Sequence, residues 1–238
     1  MPSALSDARI ALEQHAALLP SGRALPTLDH ERARAADLLA EISPQLGWLD
    51  AIRSALPDDG VLVDELTQVG YPSRIAFPVF HPGSYVTPGY QGTLGYGFPT
   101  ALGVQAADLD RAVVSINGDG GFGWSLQELS TAARYGLGVV VVVFVNGAFG
   151  NVERIQQETF GRTIGVDLHN PDYALLAEAF GVAHAAATTP GELAEAIRGA
   201  EGKRRPLLVQ VPVGDMPSPW DLIAEPTYGE PAREAALR

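Results

Sequence analysis

Between Leu46 and Val213 the apolar residues follow two alternating periods. Largely apolar runs at "VLVDEL" (61–66), "AVVSIN" (112–117), "VVVVVFVN" (139–146), "VAHAAA" (182–187) and "PLLVQVP" (206–212) predict strands. Between them, apolar residues three and four apart predict helices at 46–56, 99–107, 124–135, 171–180 and 190–200. The stretch 70–99, rich in Pro, Gly and Tyr, predicts no regular element. Strands of this kind are buried on both faces, and their alternation with helices makes them parallel. The pattern predicts a three-layer α/β/α domain around a mainly parallel sheet. Upstream, 4–18 and 30–42 have helical spacing and flank the loop "PSGRALPT". The expected organisation is a helical lead-in or linker over 1–45, the α/β domain over 46–215 and a tail over 216–238.

Composition narrows the partners. The net charge is −12, and Lys203-Arg204-Arg205, the one locally basic triplet, reads as a solvated turn before a strand. Neither nucleic acid nor an anionic membrane surface is an expected partner. With no cysteine, thiol nucleophiles, thiolate metal sites and disulfides are excluded. The apolar run Val139–Val145 is too short to span a bilayer, and the N-terminus lacks the basic and apolar regions of a secretion signal, so the expected compartment is the cytoplasm.

Ligands of parallel sheets bind beyond the carboxyl ends of strands, and two turns with chemical potential fall there. Gly118, Gly120 and Gly123 in "INGDGGFGW" fit the spacing of a dinucleotide-binding turn. That reading needs an acidic residue about 20 positions on, at the end of the next strand. The chain has Phe144-Val145-Asn146-Gly147 there. The other reading is a metal and diphosphate site. Asp119 and Asn146 end successive strands, so a carboxylate and an amide oxygen could meet one Mg²⁺, with glycine N–H groups beside a diphosphate. Taken singly, Asp119 could be a helix cap, Asn146 a turn residue and Leu94 ordinary core.

"GDGGF" followed at this distance by "VNGAFGN" resembles the cofactor fingerprint of thiamine-diphosphate-dependent enzymes. The intervening "SLQELSTAARYGLGVVVVVFVN", the upstream "GYQGTLGYGFPTALG" (89–103) and the downstream "NPDYALLAEAFG" (170–181) are similar to the decarboxylase and acetohydroxyacid synthase branch. The resemblance runs from about Leu46 to Val213, the C-terminal diphosphate-binding domain of that family. It implies thiamine diphosphate and Mg²⁺ as cofactors. Asp119 and Asn146 would ligate Mg²⁺ by side chain and Ala148 by its carbonyl. Gly118 opens the fingerprint, and Gly120, Gly121 and the Phe149-Gly150 turn would donate to the diphosphate. The Gly92 carbonyl would accept from the cofactor's 4′-amino group, and Leu94 stands at the apolar wedge that bends the cofactor. Val145 replaces the first Asn of the family's pair, and the metal ligand is the second.

The resemblance also implies what must come from elsewhere. In the family a Glu of a separate pyrimidine-binding domain activates the cofactor, and residues 1–45 cannot hold such a domain. The expected partner is a pyrimidine-binding subunit or a missing N-terminal region, in a homo- or hetero-oligomer acting on a small 2-oxo acid; Met1 favours a naturally split subunit. The expected activity is acetolactate-synthase-like carboligation. The alternatives are 2-oxo acid decarboxylation, of the benzoylformate or sulfopyruvate decarboxylase kind, and a non-catalytic cofactor-binding subunit. Glu65, Thr67 and Gln68 are substrate-pocket candidates, and His81 is the candidate proton relay. His15 and His30 fall in the lead-in, His184 on a core strand, and His169 before a helix start. "NVERIQQETFGR" (151–162) is a prospective lid, with Val152, Ile155 and Gln156 toward substrate.

Overall fold

The computed structural model describes residues 29–89 and 91–223. The helix expected over 4–18, with His15, lies outside the described residues, as does the tail from 224.

The chain divides into two compact units, 1–37 and 38–238. Of the first, the described part belongs to helix α1 (Asp29–Leu39), which carries His30. Its Arg32–Asp29 pair, 4.0 Å apart, stands in solvent and contributes little.

The second unit holds the sheet. A 3₁₀ turn (Ala40–Ile42) leads into α2 (Ser43–Ala55), followed by β1 (Val61–Val63), α3 (Gly70–Ala76), β2 (Tyr85–Val86), α4 (Gly97–Ala107) and β3 (Val113–Gly118). A short helix α5 (Asp119–Phe122), a 3₁₀ turn (Leu126–Glu128), α6 (Leu129–Tyr135) and β4 (Val140–Val145) come next. The unit continues with α7 (Gly150–Phe160), α8 (Tyr173–Phe180), β5 (Ala183–Ala186), α9 (Pro190–Ala200), β6 (Leu207–Pro212) and α10 (Trp220–Ile223). The six strands pair in the order β2-β1-β3-β4-β6-β5, every pair parallel.

Successive residues of a strand point to opposite faces, and the valine runs fill both. Leu62, Val114, Ile116, Val140, Val142, Phe144, Val209 and Val211 join Trp48, Leu49 and Ile52 of α2 with Leu193 and Ile197 of α9 in one core. Val61, Val63, Val113, Val141, Val143 and Leu208 join Phe98 and Ala101 of α4, Phe122, Leu129 and Tyr173 in the other. The three-layer expectation is met.

Three local expectations are corrected. The strand expected over 61–66 stops at Val63. Asp64 N still donates to Val86 O at 2.9 Å, after which the chain leaves the ladder with the Asp64 and Glu65 carboxylates buried, and Thr67 Oγ1 accepts from Val69 and Gly70 N–H at the start of α3. The irregular stretch 70–99 contains α3 and the edge strand β2, each too short for its period to stand out among the prolines and glycines. The helix expected over 124–135 is broken. After α5 the N–H groups of Trp124, Ser125 and Glu128 donate three residues back rather than four, and α6 begins only at Leu129.

Helix α9 opens on a capping box: Thr189 Oγ1 accepts from Glu192 N at 3.3 Å and Glu192 Oε2 accepts from Thr189 N at 3.1 Å. Its Leu193 is fully buried toward α2, far along the chain from every turn that lines the cleft. Leu193→Ala is expected to lower the unfolding free energy by about 2–5 kcal/mol. Chemical denaturation should report that loss with an unchanged slope against denaturant.

Candidate functional site

From β1 the chain steps outward to β2, then returns to β3 on the other side of β1. This reversal opens a crevice beyond the carboxyl ends of β1 and β3. A cleft of about 600 Å³ lies there. It is lined by Leu66, Thr67 and Gln68 after β1, Gly118 to Gly121 at the end of β3, and Asn146 with Ala148 after β4. Gly92 and Leu94, the first turns of α7 and the segment from Val213 to Trp220 complete the lining.

Asp119 sits at the centre of this wall, buried, with four donors around its carboxylate. Oδ1 accepts from Gly120 N (3.0 Å), and Oδ2 accepts from Asn146 N (3.2 Å), Gly147 N (2.7 Å) and Asn170 Nδ2 (2.7 Å). A carboxylate offers about four lone-pair sites, so Oδ1 keeps acceptor capacity for a cation. Asn146 Oδ1 turns back toward Ala148 N at 3.4 Å. Ala148 bridges Asp167, but the bonds of that bridge run from Phe149 N to Val166 O and from Leu168 N to Gly147 O. The Ala148 carbonyl is left outside the bridge.

Among the described residues no group of three or more His, Cys, Asp or Glu could hold a metal. A cation here would depend on one carboxylate, one amide oxygen and one backbone carbonyl, hard donors that suit Mg²⁺ sharing a phosphate. The first turn of α7, entered through Phe149 and Gly150, faces the same cleft with N–H groups that have no intrahelical acceptor. The donor set therefore fits Mg²⁺ and a diphosphate together.

Opposite this wall the backbone passes through Gly92 at φ +52°, where a Cβ would meet Leu66 Cδ1 at 2.4 Å. The left-handed conformation favours glycine there, and an added Cβ would also have to displace the end of the Leu66 side chain. Leu94 follows, 47% exposed and lining the cleft.

Two buried carboxylates lie behind. Asp64 pairs with Arg74 Nε at 3.3 Å, and burial raises its pKa above the usual range against the lowering effects of Thr87, Arg74 and Tyr85. Glu65, 1% exposed, accepts from Gly97 N at 2.7 Å and Gly95 N at 3.3 Å. Its pKa is also raised, chiefly by burial and further by the Asp64 charge, while those two backbone bonds oppose the rise.

The profile of the family described as "Thiamine pyrophosphate enzyme, C-terminal TPP binding domain" matches residues 68–211. That span includes Gly92, Leu94, the Asp119 turn and the Asn146 loop. The chain belongs to this family.

Among its relatives, a probable acetolactate synthase large subunit of Methanococcus aeolicus is 38% identical over 130 residues, 54% of this chain and 22% of the relative. Benzoylformate decarboxylase of Pseudomonas aeruginosa is 30% identical over 199 residues, 81% of this chain and 36% of the relative. The thiamine diphosphate-dependent 4-hydroxybenzoylformate decarboxylase of Rhodococcus jostii superposes with a TM-score of 0.67 at 31% identity, over 73% of this chain and 33% of that one. The chain thus spans between about a fifth and a third of the length of these proteins.

The cleft gathers Gly92, Leu94, Gly118, Asp119, Gly120, Gly121, Asn146, Ala148, Phe149, Gly150, Thr67, Gln68 and Val152 from the expected set. Four expectations are corrected. His81 lies exposed in the loop before β2 and does not line the cleft. Glu65 is buried behind the lining, its carboxylate directed to backbone N–H groups rather than to a substrate pocket. Ile155 and Gln156 turn away on α7, with Gln156 bonded through its amide to both backbone groups of Ile164. His184 is on the edge strand β5, half-buried rather than at the core, and burial lowers its pKa while Asp172 opposes the shift.

Sequence reasoning missed Asn170, which reads as a helix start next to Asp172, the side-chain cap of α8. It also missed the cluster at the cleft mouth, where Trp220 Nε1 and Arg154 both donate to Asn151 Oδ1 and the Tyr71 and Trp220 rings lie 4.7 Å apart. Trp220 sits in a stretch that reads as tail.

The raised pKa of Glu65 has a definite sign in stability. The proton binds the folded chain more tightly than the unfolded one. The stabilisation is fully present below the ordinary glutamate value and is lost as pH rises through the raised one. Glu65→Gln should remove that contribution, leaving a shallower fall in unfolding midpoint over the window. Asp64, shifted the same way, accounts for a residual slope. Thermal unfolding across pH checks this, and parallel curves for the two proteins would contradict it.

Proposed function

We propose that this chain supplies the diphosphate- and Mg²⁺-binding half of the active site of a thiamine-diphosphate-dependent enzyme acting on a small 2-oxo acid, with acetolactate-synthase-like carboligation as the first reading. The observation that carries it is the meeting of Asp119, Asn146, the Ala148 carbonyl and the first turn of α7 in one cleft, with Gly92 and Leu94 opposite. Asp119, Asn146 and Ala148 hold the metal. The N–H groups at Gly121 and Gly150 would hold the diphosphate; those of Gly120 and Phe149, expected to join them, are instead bonded to Asp119 Oδ1 at 3.0 Å and to the Val166 carbonyl at 2.9 Å. The Gly92 carbonyl would accept from the cofactor's amino group, and Leu94 would supply the apolar contact to its ring system. When bound, thiamine diphosphate supplies addition to the 2-oxo carbon and stabilises the charge left as CO₂ departs.

The residues that activate the pyrimidine ring come from a partner polypeptide or from a further region of the enzyme, in a homo- or hetero-oligomer. Support for this division comes from the exposure of Leu94 and, beside Gly95, of Trp124, 67% exposed. Simple decarboxylation is the second reading, favoured by the longer coverage of the two aryl 2-oxo acid decarboxylases among the relatives. Product analysis separates them: a carboligase releases a hydroxyketone, a decarboxylase an aldehyde.

Asp119→Ala is expected to abolish Mg²⁺-dependent binding of thiamine diphosphate. Calorimetric titration of the cofactor with Mg²⁺ tests it, and wild-type affinity in the variant would refute the metal assignment. Asn170 holds the metal carboxylate from behind. Asn170→Ala should weaken Mg²⁺ by about 10- to 100-fold. Leu94→Ala should slow turnover by roughly tenfold or more with little change in cofactor affinity, because the wedge shapes the cofactor rather than holding its phosphates. Steady-state kinetics beside calorimetry distinguishes the two effects.

A further inference from the structure

Burying an ionisable carboxylate is unfavourable unless strong partners replace the lost water. Glu65 has such partners, and they come from separate segments. Gly97 N, bonded at 2.7 Å, is the first residue of the eleven-residue helix α4, where a carboxylate also favours the helix dipole. Gly95 N, bonded at 3.3 Å, lies outside the helix and directly after Leu94. Against the other side of the carboxylate lies Gly121 of the diphosphate turn, where an added Cβ would fall 1.4 Å from Oε1. Gly97 itself could not carry a Cβ, which would meet Asn117 Oδ1 at 2.6 Å and Glu65 Cβ at 3.0 Å.

A helix cap alone would not explain the bond to Gly95 or the close fit to Gly121. The carboxylate lies between the turn that ends β3 and the segment that carries Gly92 and Leu94. We infer that Glu65 is a positioning residue, fixing the Gly92–Leu94 segment against the Asp119–Gly121 turn so that Leu94 keeps its place over the cleft. The inference rests on reading that cleft as the cofactor site. Glu65 touches neither the cleft nor a bound group; it acts through Leu94. A glutamine of the same shape presents an N–H to one of the two backbone donors and so loses one bond. An aspartate keeps the charge but is one methylene short of Gly97.

The test compares wild type, Glu65→Gln, Glu65→Asp and Leu94→Ala, in the chain and in the enzyme completed with its pyrimidine-binding half. Hydrogen exchange of the peptide covering 93–97 should speed up by about tenfold or more in both Glu65 variants, with β3 and β4 unchanged. Affinity for thiamine diphosphate with Mg²⁺ should stay within about threefold, while kcat falls by no more than it does in Leu94→Ala, roughly tenfold, as expected when a positioning element is displaced. In a Leu94→Ala background, Glu65→Gln should have little further effect on kcat, since both changes act on one element. Unchanged exchange at 93–97 would overturn the inference. So would equal, additive losses in both backgrounds, or a fall in cofactor affinity matching the fall in kcat, which are the marks of a general structural role. If wild type itself fails to bind the cofactor, the site reading falls first and the inference with it, an outcome visible before any substitution is made.

Discussion

The Asp119 carboxylate and its four donors join the parts of this site. The donors belong to the turn after β3, the loop after β4 and the segment before α8, so one side chain draws together three segments of the two connections that follow β3 and β4. It can do so because of register. Gly118 pairs with Phe144, which sets Asp119 one step beyond the ladder and within reach of the Asn146 and Gly147 N–H groups. A slip of one residue would turn each valine of β4 to the wrong face and also remove those donors from Asp119. The apolar pattern of the core and the geometry of the site thus obey the same constraint.

This coupling explains what the sequence makes legible. Strands with residues such as Val141 and Val142 buried in opposite cores mark a parallel sheet covered on both faces, and the carboxyl ends of β3 and β4 follow from it. Asp119 and Asn146 are readable because they stand at those ends. Asn170 is not, since an Asn before Pro171 and Asp172 reads as the start of a helix, and nothing local indicates that its amide turns toward Asp119. Trp220 is hidden for another reason. It reaches Asn151 across 69 positions of chain, a distance over which no periodicity carries information. Glu65 was legible as chemistry but not as orientation, because the strand before it ends three residues earlier than its apolar run.

Charge is handled in this cleft in a way that suits an acidic chain. Arg154 is the one Lys or Arg lining it among the described residues, and its guanidinium is held by Glu158 and Asn151 and lies over the Trp220 ring at 5.8 Å. An anion bound here would therefore meet backbone N–H groups and a metal rather than a cluster of cationic side chains. Backbone donors at a helix start are fixed in place, as flexible lysines are not. A net charge of −12 is compatible with such a site, whereas long-range attraction of phosphate by a basic surface would not be.

The two ends of the cleft differ in how far the described residues close them. At the end of Asp119 and α7, the segment from Val213 to Trp220 passes over the opening and is tied down through Asn151 and through the bond from Gln45 Nε2 to the Pro217 carbonyl at 2.6 Å. At the end of Leu94 no such cover exists among the described residues, and Leu94 and Trp124 stand exposed beside the fixed backbone of Gly95. A diphosphate needs its partners assembled in one place, and one domain can supply them. On the proposed reading, a ring set against Leu94 would take its second surface from the half that completes the site. On the same reading, the bonds from Gly95 and Gly97 N–H to the buried Glu65 carboxylate hold the Leu94 segment although its outer face is bare, so a surface completing the site would meet a segment already in position.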